Sequence, residues 1–161
     1  MTYRIEGLPR GAFARYYGRT AEELLEMGAI RVVADANDGF PCRVTLQDAR
    51  EGDSLILLNY TSHDVPGPYR TAYAIFVREH EGAEERVVWA DALPPILQGR
   101  VLSLRAFDAD GLLHAARLAQ PDAVEAGIAD LFAEAEVAYI HAHYATYGCF
   151  AARIERDGEA Q

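Results

Sequence analysis

Apolar residues along this chain gather in short stretches punctuated by glycine, proline and acidic turns. That pattern predicts many strands and few helices. Tyr3–Glu6 reads as a short first strand closed by Gly7 and Pro9. Thr20–Met27 reads as a short helix, because Thr20 and Glu23 have capping-box spacing and Gly28 supplies the stop. Ile30–Ala34 is a predicted strand ending at the Asn37-Asp38-Gly39 turn. Cys42–Leu46 and Ser54–Tyr60 follow as an expected antiparallel pair. Leu55-Ile56-Leu57-Leu58 is apolar without alternation, so its strand should be central and buried on both faces. Ala72–Arg78 is a further strand, before an acidic loop. Pro94-Pro95 interrupts, then Arg100–Phe107 turns through Asp108–Gly111 into Leu112–Leu118. Pro121–Ala135 carries the long-helix signature, with Val124, Ile128, Leu131 and Phe132 on one stripe. The fold class expected is α+β: a mainly antiparallel curved β-sheet with one long helix (about 121–135) and one short helix (about 20–27) packed on it. The chain reads as a single domain, 1–161.

The last predicted element, Val137–Arg156, is a hairpin whose polar residues are unusual. Side chains alternate along a strand, so the register decides which of them meet. A three-residue loop of Thr146, Tyr147 and Gly148 pairs Ala145 with Cys149, His143 with Ala151 and His141 with Arg153. It matches apolar row to apolar row and puts Gly148 where a left-handed residue is wanted. His141, His143, Cys149 and Arg153 are then expected on one face.

Composition narrows what that face can meet. At 161 residues the chain can build a core without staples, and no apolar run approaches a membrane span. The start lacks a secretory signal, so a cytoplasmic protein with Cys42 and Cys149 as free thiols is expected. A formal net charge of −10 argues against nucleic acid or anionic membrane as partners. All fifteen basic residues are arginine, which excludes a lysine Schiff base and a P-loop lysine. Asp35–Gly39 and Asp108–Gly111 lack the full calcium-loop pattern and read as turns.

Two chemistries compete for the hairpin. His141, His143 and Cys149 suit a divalent metal such as zinc, whose catalytic sites commonly keep three protein ligands and water. Alternatively Cys149 is a nucleophile with His143 or His141 as base, its thiolate favoured beside Arg153. Arg43, Arg105 and Arg153 are candidate binding groups for an anionic small molecule. In Phe40-Pro41-Cys42-Arg43 the plain reading is a buried thiol beside an exposed guanidinium, and Arg105 in mid-strand needs a partner such as Asp108, Asp110 or a ligand. These residues support two functions: a small-molecule enzyme built on the hairpin, the reading favoured here, or a non-catalytic domain that binds a small anion or an interaction partner. Reaction type and oligomeric state are not encoded in any motif of the chain.

The stretches GFPCRVTLQDAREGDSLILLNY, PYRTAYAIFVRE, RVLSLRAFDADG and VAYIHAHYATYGCFAARIER, in that order, resemble an uncharacterised bacterial family, domain of unknown function number 1203. The resemblance runs from about Gly39 to Arg156. It implies that the Pro-Cys-Arg motif and the His/Cys hairpin belong to the family pattern, and it brings no activity, cofactor or substrate.

Overall fold

The computed structural model describes residues 2–79 and 87–158. Its strands are β1 (Thr2–Glu6), β2 (Ala29–Val33), β3 (Ser54–His63), β4 (Thr71–Arg78), β5 (Val88–Ala90), β6 (Leu102–Phe107), β7 (Leu113–Ala119), β8 (Tyr139–Tyr144) and β9 (Phe150–Asp157). Two α-helices, α1 (Ala21–Glu26) and α2 (Val124–Phe132), and 3-10 turns at Arg10–Tyr16 and Pro95–Leu97 complete the described elements. The fold is α+β and antiparallel, as expected, but the strands form two sheets rather than one. Six strands lie in the order β5-β1-β9-β8-β6-β7, and three in the order β2-β3-β4.

Local sequence accounts for most of these elements. The Thr20 hydroxyl accepts the Glu23 N–H and the Glu23 carboxylate accepts the Thr20 N–H, so α1 begins on a complete capping box. Helix α2 is shorter than its apolar stripe suggested, because the residues after Pro121 form a turn in which the Ala123 N–H bonds the Gln120 carbonyl. Its buried residues are Val124, Ile128, Leu131 and Phe132, the predicted stripe, and they pack into the core of the six-stranded sheet. The short helix does not share that sheet. α1 buries Leu24 in a second core with Phe13, Ile56 and Ile75, against the three-stranded sheet.

Strand β3 is central, as its unbroken apolar run required, but its partners are β2 and β4. The expected strand at Cys42–Leu46 is instead a tight loop. The Leu46 N–H bonds the Cys42 carbonyl, the Cys42 N–H bonds the Gln47 carbonyl, and Leu46 is left-handed at φ +56°. An antiparallel bridge between Pro41 and Asp48 closes the loop, and a parallel bridge joins Cys42 to Phe76 on β4. Among the described residues no helix is long and apolar enough to cross a membrane.

Candidate functional site

The hairpin β8–β9 closes differently from its predicted register. The Tyr144 N–H bonds the Cys149 carbonyl at 3.0 Å and the Gly148 N–H bonds the Tyr144 carbonyl at 2.7 Å, so the loop holds four residues, Ala145 to Gly148. Gly148 has φ +77°, as its place in the turn requires. Between Ala142 and His143 the pairing shifts: Ala142 faces Ala152 while His143 faces Phe150. Ala151 is therefore an extra residue, and this bulge absorbs the longer loop. His141 still faces Arg153, the pair expected from the shorter loop, because the bulge offsets the added loop residue. His143 meets Phe150 instead of Ala151, and Cys149 leaves the histidine row to pack with Tyr144 against the large core.

The two imidazoles sit between the sheets in an aromatic cluster. His141 is 1% exposed and His143 2%. Ring centroids of His63, Phe107 and Phe150 lie 5.1–5.2 Å from that of His141, and the Tyr73 ring lies 5.0 Å from that of His143. Burial, with Arg153 next in weight, pushes the His141 imidazole down to about 2, and burial pushes His143 down to about 4. Both are neutral near pH 7. A carbonyl only accepts, so His143 Nδ1 donates to the Gly148 oxygen at 2.9 Å. In the same way His63 Nδ1 donates to the Tyr69 carbonyl, and its Nε2 accepts from the Tyr139 hydroxyl, both at 2.8 Å. His141 Nε2 is buried with no hydrogen-bond partner among the described residues. There too, no three His, Cys, Asp or Glu side chains gather as metal ligands, so the set of His141, His143 and Cys149 is not assembled. The bulge that turns Cys149 away is the physical reason.

Cys149 instead belongs to a cleft of about 860 Å³ between the hairpin turn and the edge of β4. Arg43, Tyr73, Ala74, Arg100 and Tyr144 line it as well. Arg43 is 2% exposed, which corrects the expectation of a solvent-facing guanidinium. The cause is the loop: without a strand at Cys42–Leu46 there is no alternation to turn Arg43 outward. Its Nε donates to the Phe150 carbonyl at 2.9 Å, Nη1 to the Pro41 carbonyl at 2.5 Å, and Nη2 to Cys149 Sγ at 3.5 Å. None of these acceptors is a carboxylate. Arg100 differs, since Asp48 holds its Nη2 through both oxygens at 3.0 and 2.8 Å. Both guanidinium carbons stand 5.3 Å from the centroid of the Tyr144 ring. Burial pushes that phenol up to about 12, and its hydroxyl donates to the Ile96 carbonyl.

Residues 39–156 match the family model described as Protein of unknown function (DUF1203). The chain belongs to this family. No curated protein and no solved structure matches it. The match spans both halves of the DUF1203 cleft, the loop after Gly39 and the hairpin.

The residues singled out by sequence thus divide into two places. Arg43 and Cys149 meet in the cleft, while His141 and His143 sit against Phe150 in the inter-sheet cluster. Arg105 lies at its margin, donating from Nε to the Ser103 hydroxyl at 3.3 Å and from Nη1 to the Tyr73 hydroxyl at 3.0 Å, with neither Asp108 nor Asp110 as partner. Arg153 is exposed, bonds Glu155 at 2.8 Å and stands 3.9 Å over the Tyr139 ring. Cys42 is buried and accepts the Arg78 N–H, and both cysteines are free. Sequence reasoning passed over Tyr73, Arg100 and Tyr144. Arg100 follows a proline-rich turn and Tyr73 reads as an ordinary strand residue, so neither stood out from its context.

Proposed function

We propose that this domain binds a small anion, carboxylate or phosphate, in the cleft between its two sheets, without catalysing its conversion. The observation that carries the reading is Arg43, a buried cation whose acceptors are two backbone carbonyls and a thiol. Burying a guanidinium without an acidic partner is costly, and the cost is offset when a ligand brings the negative charge. Arg100 adds a second guanidinium at the wall, already neutralised by Asp48. Tyr73 and Tyr144 give the cleft aromatic surface, which favours an anion attached to a flat or apolar body.

The enzyme reading has weaker support. Cys149 lines the cleft beside Arg43, which suits a thiol acting on a bound anion, but neither His141 nor His143 is among the residues that line it. The test is calorimetric titration of the full chain with benzoate and with inorganic phosphate. Arg43→Gln should lower affinity roughly ten- to a hundredfold, the worth of one charge-assisted hydrogen bond. Cys149→Ala should leave it within about twofold, and wild-type affinity should fall with added salt. Equal affinity in wild type and a folded Arg43→Gln, or salt-independent binding, would remove the basis of the proposal.

A further inference from the structure

The cleft has a second wall whose chemistry differs from that of the arginines. Strand β4 is an edge strand, hydrogen-bonded within its sheet only to β3. Two contacts identify which of its backbone groups point outward. The Phe76 carbonyl accepts the Arg43 N–H, and the Arg78 N–H reaches Cys42 Sγ. In an antiparallel ladder outward and inward residues alternate, so Ala72, Ala74, Phe76 and Arg78 turn their main-chain groups away from β3. The segment through Cys42 and Arg43 covers Phe76 and Arg78 and goes no further. Ala72 and Ala74 are exposed, and among the described residues nothing pairs with their outward N–H and C=O groups.

Proteins usually protect such an edge with a charge, a proline or a bulge. Thr71–Ile75 carries no charge or proline, and the bulge beside it, between Thr61 and His63, lies in β3 and not in the edge strand. This unprotected edge and the buried Arg43 guanidinium line the same cleft, with Ala74 and Arg43 both in its wall. A free strand edge recognises main chain, and an isolated guanidinium recognises a carboxylate. We infer that the ligand of this cleft is an extended peptide with a free C-terminal carboxylate, adding as a strand to Ala72–Ala74 and seating that carboxylate on Arg43. The inference rests on the reading of Arg43 as an anion-holding group and names the class of anion. A second copy of the chain paired through β4 meets the edge but not the charge. The sequence of β4, TAYAIFVR, offers no acid to Arg43.

The test presents the full chain with pools of N-acetylated pentapeptides and identifies retained peptides by mass spectrometry after gel filtration. The pool with free C-terminal carboxylates should be retained. A C-terminally amidated pool and a backbone N-methylated pool should each lose about tenfold or more, reporting the charge and the main-chain bonds separately. Ala74→Pro is the protein-side control. The outward N–H it removes takes no part in the β3 ladder, so the thermal unfolding midpoint should stay close to wild type while the pentapeptides are lost. Equal retention of amidated or N-methylated peptides, or full peptide binding by Ala74→Pro, overturns the inference. Benzoate binding without any peptide retention overturns strand addition and leaves the anion reading standing. Failure of peptides, benzoate and phosphate alike removes both. A concentration-dependent dimer that Ala74→Pro abolishes would make a second copy the occupant and overturn the peptide assignment.

Discussion

At the scale of single residues, the buried histidines carry a measurable consequence. His141 and His143 are held neutral because burial and the guanidinium groups around them disfavour the imidazolium. In the unfolded chain each regains an ordinary value near 6.5. As pH falls through that value the unfolded state takes up protons that the folded state refuses, so folding stability falls with it. The loss continues until about pH 4 for His143 and about pH 2 for His141. Above pH 7 neither residue contributes a slope. Each imidazole adds at most about 1.4 kcal/mol per pH unit inside its window. The carboxylate of Glu79, held down to about 2 chiefly by Arg31, loses stability only below the ordinary carboxylate range. The interval from pH 6.5 to 5 therefore belongs mainly to histidine. Urea unfolding should show a midpoint that drops across that interval, and His141→Leu should flatten the drop. Because His141 Nε2 has no partner among the described residues, the same substitution should leave stability at pH 7 within about 1 kcal/mol of wild type or above it. An unchanged pH slope in the variant would refute the burial argument.

At the scale of elements, the close approach of β1 to the loop that carries Arg43 is the most constrained junction. The Leu8 N–H bonds the Arg43 carbonyl at 2.8 Å. A Cβ on Gly7 would lie 1.9 Å from the Val44 carbonyl oxygen, a backbone atom that cannot rotate away. Gly7→Ala should therefore cost on the order of 3 kcal/mol in urea unfolding and weaken anion binding by displacing the Arg43 loop. Gly11→Ala is the control, since nothing lies within 4 Å of its added methyl, and it should be close to silent. If both variants unfold alike, the junction is looser than its geometry states. Elements also account for what the sequence made legible. Capping at Thr20, the apolar stripe of α2 and the unbroken run in β3 are local signals, and each located its element. The Cys42–Leu46 loop was opaque because its alternation imitates a strand, whereas a left-handed Leu46 and contacts with β4 and with the first residue of β9 decide its path. The hairpin was half legible. The predicted three-residue loop put His141 opposite Arg153, and that pair survives the longer loop only through a bulge at Ala151, which leaves no mark in a row of alanines.

At the scale of the whole molecule, the two sheets meet through side chains that neither sheet needs for its own ladder. His63 of β3 takes the Tyr139 hydroxyl of β8 at 2.8 Å, Arg105 of β6 reaches the Tyr73 hydroxyl of β4 at 3.0 Å, and His141 and Phe107 pack on His63. Each sheet also keeps a core of its own, one around α2 and one around Phe13 and Leu24. Independent cores permit separate unfolding, while a shared aromatic layer couples them, and the number of transitions decides which effect is larger. Breaking the layer exposes buried rings on both sheets at once, so coupling should win. Far-ultraviolet and near-ultraviolet circular dichroism should give coincident, single thermal transitions for the full chain. Tyr139→Phe leaves the His63 Nε2 acceptor buried without its donor and should lower stability by about 1–3 kcal/mol without splitting the transition. In a double-mutant cycle with His63→Phe the two losses should be non-additive, because both remove the same hydrogen bond. Two resolved transitions in the wild type would mean that the sheets behave as separate folding units. The cleft, with Arg43 anchored to Phe76 of β4 through its backbone and to Phe150 of β9 through its guanidinium, would then open whenever either sheet yields.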